Sequence, residues 1–204
     1  MAEATIGFRA HSGWAAMVAM SGKLRSPEVI HRGRIELIDG SAPRTKQPYH
    51  TARELGLTQT EKFIADCQAR AEQLAAQALE QQIALLGEKG HRVEKCAVLL
   101  ASGRALPPLD KILGSHPMLH TAEGELFRNA LRHGGERCGL QVMAIREREL
   151  FERAAAALGI AQPELRTQLG EMGRRLGPPW REDEKLAALA AWIALSGKQF
   201  TAEG

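Results

Sequence analysis

Aromatic residues are scarce in this 204-residue sequence: one Tyr, three Trp and five Phe make up 4% of it. A stacking platform for single-stranded nucleic acid needs a row of exposed rings, and none is evident here. Three cysteines, Cys67, Cys96 and Cys138, are widely spaced with no CxxC pair. That excludes a disulfide framework and a thiolate zinc site, so a reducing compartment is expected. No stretch approaches the roughly 18 apolar residues that span a bilayer. Nor does a basic segment followed by an apolar run open the sequence, so the expectation is a soluble, cytoplasmic protein with no membrane partner. Charge of one sign is also lacking. The net +3 permits a local basic patch without by itself predicting nucleic-acid binding.

What is present suits a packed domain: 44% hydrophobic and 25% charged residues, with no repeat or low-complexity tract. The length fits one domain over 1–204, with helical additions at about 59–86 and 164–176. Residues 5–38 read as a strand, a bend and an antiparallel meander, with "IHRGRIEL" alternating and Asp39-Gly40 ending it. Residues 41–58 read as a loop with a short helix near its end. From Gln59 to Leu86 the chain has neither Gly nor Pro; Thr60 is its expected N-cap, and Phe63, Cys67, Ala71, Leu74 and Ala78 follow helical spacing. "VEKCAVLLA" and "GLQVMAI" read as buried strands. The helix starting near "SHPMLHTAEGELFR" lies between them, and three more helices follow, the last in "REDEKLAALAAWIAL". Helical crossovers make the later strands parallel. The expected class is α/β: a three-stranded antiparallel meander plus two parallel strands in one mixed sheet, flanked by helices.

That order resembles the RNase H-like fold, and within it the RuvC-type Holliday junction resolvases. The resemblance is carried by "IGFRAHSGWAAMVAM", "CAVLLAS", "HTAEGELFRNAL", "LQVMAIRERELFERAAAALGI" and "DEKLAALAAWIAL". "GFRAHSGWA" is also similar to a stretch of bacterial proteins of no assigned activity, which implies nothing about function. The RuvC-type resemblance implies an acid at the end of the first strand, another at the end of the fourth, and more at the last helix. Such carboxylates hold divalent ions about 3.5–4 Å apart. Here the first position is Arg9, and the fourth strand ends in Ala101 and Ser102. Only the last helix has acids, Glu182, Asp183 and Glu184, with Lys185 close to where another is implied. Two-metal cleavage of that kind is not expected. If the correspondence holds, Arg9 turns the preference of the site from cations to anions.

The helix after Ser115 carries the other candidates. Pro117 is its expected first residue and His116 its cap. Leu119, Ala122, Leu126 and Ala130 form a buried stripe, while Glu125, Arg128, Asn129 and Arg132 read as a solvated face. His116, His120 and Glu123 sit on the stripe's border, where they are either structural polar groups, a cleft edge, or ligands of a divalent metal such as zinc or manganese. Ser115 and the helix amides could hold a phosphate. The fold resemblance brings Arg9, His11, Ser12, Ser102, Glu182 and Lys185 to one cleft, walled by "SHPMLH". His11 and Ser12 are adjacent, a poor geometry for a base and its nucleophile. Tyr49 and His50 are loop residues that either contact a ligand or anchor the loop. Trp180, after Pro178-Pro179, either stacks on a ligand or plugs the core.

Three functions fit. The first is a hydrolase of nuclease or phosphoesterase type with an altered, carboxylate-poor site, in which His11, Ser102, His120, Glu123 and Glu182 carry the chemistry, with Mn, Mg or Zn as a candidate cofactor. The second is a non-catalytic module binding nucleic acid or a nucleotide through Arg9, Arg32, Arg34 and Trp180. The third is an interaction scaffold or homo-oligomer built on the 59–86 helix.

Overall fold

Odd-numbered residues of the first strand, β1 (Ala2–His11), leave little bulk on one face: Thr5 and Gly7 precede Arg9 and His11. The last helix, α7 (Glu182–Leu195), is correspondingly small, with Ala at five of its positions. The two lie against each other closely enough that Thr5 Oγ1 donates to the Ala191 carbonyl at 2.7 Å. A Cβ on Gly7 would sit 1.9 Å from the Ala187 carbonyl oxygen, so only glycine admits the helix there. This approach fixes the first turn of α7 beside Arg9.

The computed structural model describes residues 1–198, Pro43 and Leu57 by backbone alone. Strands β2 (Trp14–Lys23), β3 (Ser26–Glu36), β4 (His91–Leu100) and β5 (Gln141–Arg146) complete one five-stranded sheet in the order β3-β2-β1-β4-β5. β1, β2 and β3 pair antiparallel, and β4 pairs parallel with both β1 and β5. This is the mixed sheet expected from the sequence. The β1–β2 hairpin turns through Ser12 and Gly13, the latter at φ +83°, where glycine carries no steric penalty. Pro27 falls on the edge strand β3, where a missing amide is tolerated.

Helices cover both faces. On one side lie α1 (Pro48–Ala52), α2 (Leu57–Glu88), α3 (Leu109–Leu113) and α4 (His116–Arg137), enclosing Ile6, Phe8, Met17, Val98, Leu119 and Phe127. On the other, α5 (Leu150–Leu158), α6 (Gln162–Leu176) and α7 enclose Val18, Met20, Ala97, Leu99 and the fully buried Trp192. Cys96, buried between strand and helix, has its thiol pushed up to about 12 by desolvation, so it acts as a small apolar residue.

Several helix ends differ from expectation. α2 starts at Leu57 with Gly56 as its N-cap, and Thr60 is buried inside it, donating to the Ala52 carbonyl at 2.9 Å. Thr60 thus ties α2 to α1 instead of capping. α4 begins at His116, with Ser115 as the cap residue. Glu125 and Arg128 are not solvated: they form a 3.3 Å pair with side chains 12% and 18% exposed. α2 turns Ala71, Ala75, Leu79 and Leu86 into the core. Among the described residues the exposed large hydrophobics are Met1 and Leu24, neither on α2. No helix of the described residues is long and apolar enough to cross a membrane.

Candidate functional site

Two clusters of functional side chains crown the sheet at the carboxyl ends of β1 and β4, one on each face. The first is built around Arg9. β1 delivers its guanidinium toward the start of α7 and the segment after β5, where it meets two carboxylates. Nε and Nη2 donate to the two oxygens of Glu147 at 3.0 and 2.8 Å, and Nη1 donates to Asp183 Oδ1. His11 Nε2 contacts the same Asp183 oxygen at 2.9 Å. Hydrogen bonds donated to Glu147 raise the Arg9 pKa above its already high ordinary value, against the opposing pull of burial. Burial would raise Asp183, but the Arg9 and His11 hydrogen bonds and charges outweigh it and hold its carboxyl below the ordinary range.

This geometry corrects one expectation. Arg9 is not a free anion receptor, because both sides of its fork are occupied by carboxylates. His11 turns its Nε2 to Asp183 rather than to its neighbour Ser12. Glu147 has no counterpart in the sequence reading. Its only sequence signal is its place in "IRERE", directly after a buried strand. Asp183, rather than its exposed neighbour Glu182, faces the sheet. Lys185, two residues further along α7, is partly exposed, its amide donating to the Arg181 carbonyl.

A ring stack extends this cluster across the hairpin. His11 lies parallel to Trp14 with centroids 4.3 Å apart, and the Arg34 guanidinium sits 4.2 Å from the Trp14 ring centre. Arg34 also pairs with Glu36 at 2.5 Å. Trp14 and Arg34 border a shallow groove whose other side is formed by Pro179 and Glu184. Arg32 is committed elsewhere: it donates to the carbonyls of Leu176, Gly177, Pro178 and Pro179. Trp180 fills the space over Gly173 and donates to the Leu169 carbonyl at 2.7 Å. Both serve to pin the segment between α6 and α7.

The second cluster lies on the opposite face, where α1 docks on the first turns of α4. Glu123 is fully buried, not on a border. Its Oε1 accepts from both the His50 backbone amide at 3.2 Å and His50 Nδ1 at 2.8 Å. Its Oε2 is buried with no hydrogen-bond partner, 3.8 Å from His120 Nδ1. His120 Nε2 is 3.2 Å from His116 Nε2. His50, His116 and His120 are mutually in ring contact, with centroids 4.6 to 5.2 Å apart. Tyr49, next to His50, is buried and anchors α1; burial and the Glu123 charge push its hydroxyl pKa up.

The expected single cleft is therefore divided. Arg9, His11 and Asp183 meet on the α7 face; His116, His120 and Glu123 meet on the α4 face with His50. Ser102 belongs to neither: it is exposed in the loop after β4, its Oγ accepting from the Arg104 amide at 3.3 Å. Ser115 makes no side-chain cap to α4. The metal centre implied by the resemblance does not fit the Arg9 cluster. Hard cations need converging oxygens, and here a guanidinium already lies between the two carboxylates.

No protein-family model matches the chain, and no curated protein matches it in sequence. Solved structures do. The RuvC structure of Thermus thermophilus aligns over 95% of this chain and 93% of its own, with a TM-score of 0.52 and 12% identity. The T. thermophilus RuvC in complex with Holliday junction substrate gives the same coverage, a TM-score of 0.50 and 11% identity. At such identity the likeness is one of architecture: the chain has the RuvC-like RNase H fold.

Proposed function

We propose that this protein binds nucleic acid on an RNase H-like scaffold without cutting it by two-metal chemistry at the end of β1. The observation that carries this reading is the position of Arg9, whose guanidinium is bonded to Glu147 and Asp183 where metal-dependent members of the fold need open carboxylates. The partner class is suggested by the fold neighbour bound to a four-way DNA junction. The groove beside the cluster adds a half-buried indole and a guanidinium, groups that suit bases and phosphates.

Fluorescence anisotropy with a labelled four-way junction, at rising salt, tests this reading. Binding that weakens steadily with salt is expected, as is intact DNA after incubation with Mg²⁺ or Mn²⁺. The Trp14→Ala/Arg34→Ala double variant should bind about tenfold more weakly, the loss of roughly one stacked base. No binding at low salt, or metal-dependent cleavage abolished by Asp183→Asn, would overturn it.

A second reading, a phosphoesterase, is favoured by one observation, the imidazole cluster of His50, His116 and His120. Turnover of a simple phosphodiester such as bis-p-nitrophenyl phosphate, lost in His120→Ala, would support it; no turnover with any divalent metal would remove it.

A further inference from the structure

His50, His116 and His120 each present a ring nitrogen to one small volume, and the three ligand atoms lie within 4.8 Å of one another. Two of them are set by the helix: His116 and His120 are one turn apart on α4, so their side chains project from the same face. The third is brought by α1, whose docking is fixed by Glu123.

We propose that these three histidines form a binding site for a borderline divalent transition metal of the zinc class, with Glu123 as the buried carboxylate that orients the ligands. Three features support it. First, the spacing fits. Bonds of about 2.0 Å in a tetrahedral site put ligand nitrogens about 3.3 Å apart, and His116 Nε2 and His120 Nε2 stand at 3.2 Å. Two imidazoles at that distance without an ion have at most one proton between them to form a hydrogen bond.

Second, the tautomers are arranged for it. Glu123 Oε1 accepts a hydrogen bond from His50 Nδ1 at 2.8 Å, which leaves the Nε2 lone pair of His50 as its outward donor. The same carboxylate faces His120 Nδ1 at 3.8 Å, on the ring edge opposite the nitrogen that meets His116. Carboxylates behind metal-bound histidines play this role, fixing ring orientation and raising ligand basicity. Third, Glu123 Oε2 is buried and has no hydrogen-bond partner. A small inward movement of His120 on binding an ion would close the 3.8 Å gap and satisfy it.

The donor set, three imidazoles with no thiolate and no exposed carboxylate, favours Zn²⁺ or Co²⁺ over Mg²⁺ or Ca²⁺. His116 and His120 are exposed, so the fourth position opens to solvent and would hold water or an exchangeable oxygen ligand. The site is distinct from the Arg9 cluster and does not depend on the nucleic-acid reading.

The test is titration of the tag-free, chelator-stripped full chain with Co²⁺, followed by visible absorption and then displaced by Zn²⁺. One equivalent with the d–d bands of four-coordinate cobalt is expected. His116→Ala and His120→Ala, both exposed positions that should not disturb folding, are expected to lose that band. His133→Ala, an exposed histidine further along α4, should keep it. Glu123→Gln should retain the one-to-one stoichiometry with affinity reduced about 10- to 100-fold. Absence of saturable cobalt binding by the wild type overturns the proposal, as does equal binding by the His116→Ala and His120→Ala variants. Unchanged affinity in Glu123→Gln overturns the role given to Glu123.

Discussion

The two clusters differ in which partner the chain itself supplies. Around Arg9 two carboxylates share one cation that is covalently part of the fold, and its position cannot exchange. Around His50 the arrangement is different: the ligand atoms of three imidazoles converge on one small volume. One end of one sheet thus carries a closed electrostatic site and an open one, separated by the β-layer. The contrast shows how little a fold determines its chemistry. Here a guanidinium lies between the two carboxylates and ties β1 to α7 and to the segment after β5.

Substitutions that break one cluster and spare the other separate them. The largest effect is expected from Gly7→Ala. Its Cβ would meet backbone atoms of α7 at 1.9 and 2.7 Å, which flexible side chains cannot relieve. About 3 kcal/mol or more of stability should be lost in urea unfolding, with cobalt binding by the folded fraction intact. A loss below about 1 kcal/mol would mean that α7 does not hold Asp183 in place this tightly.

Arg9→Ala comes next. It leaves Glu147 and Asp183 partly buried without their shared donor, at a cost of about 2 kcal/mol near neutral pH. The pH dependence has a definite sign. Asp183 is depressed in the folded state, so its contribution is present above its ordinary value of about 3.8 and fades as pH falls through the lower folded value. The stability gap between wild type and Arg9→Ala should therefore be constant at neutral pH and narrow below about pH 4. A gap that stays constant to pH 2 contradicts the pairing.

The smallest effect belongs to His11→Ala, which removes one hydrogen bond to Asp183 and the Trp14 stack. About 1 kcal/mol is expected from thermal unfolding, and a larger loss would give His11 a role that its two contacts do not explain.

Much of the architecture was legible in the sequence because it rests on local periodicity. The alternation in β3, the Gly-free run of α2 and the short apolar runs of β4 and β5 each reflect neighbours a few residues apart. The sites were legible only in part. Arg9, His11, His116, His120 and Glu123 stood out as polar residues at strand or stripe edges, and all five belong to the two clusters. Their pairings did not: His50 and Asp183 were visible as candidates without these partners, and Glu147 was not visible at all. Arg9 meets Glu147 and Asp183 across 138 and 174 residues, and His50 meets Glu123 across 73, separations that no short-range pattern encodes. The burial of Glu123 has a similar origin: it faces outward on an isolated α4 and becomes interior only when α1 covers it. Thr60 does not cap α2 because its hydroxyl donates to the Ala52 carbonyl of the preceding helix, a contact that local spacing does not encode.

The most direct test of the closed site is calorimetric titration of Mn²⁺ into wild type and Arg9→Asp, each also carrying His116→Ala and His120→Ala to silence the imidazole cluster. Arg9→Asp places a third carboxylate beside Glu147 and Asp183 and removes the cation between them. Saturable Mn²⁺ binding and metal-dependent stabilisation are expected for Arg9→Asp, with neither for the Arg9 form. Saturable binding by the Arg9 form that Asp183→Asn abolishes would show that the guanidinium does not close the site.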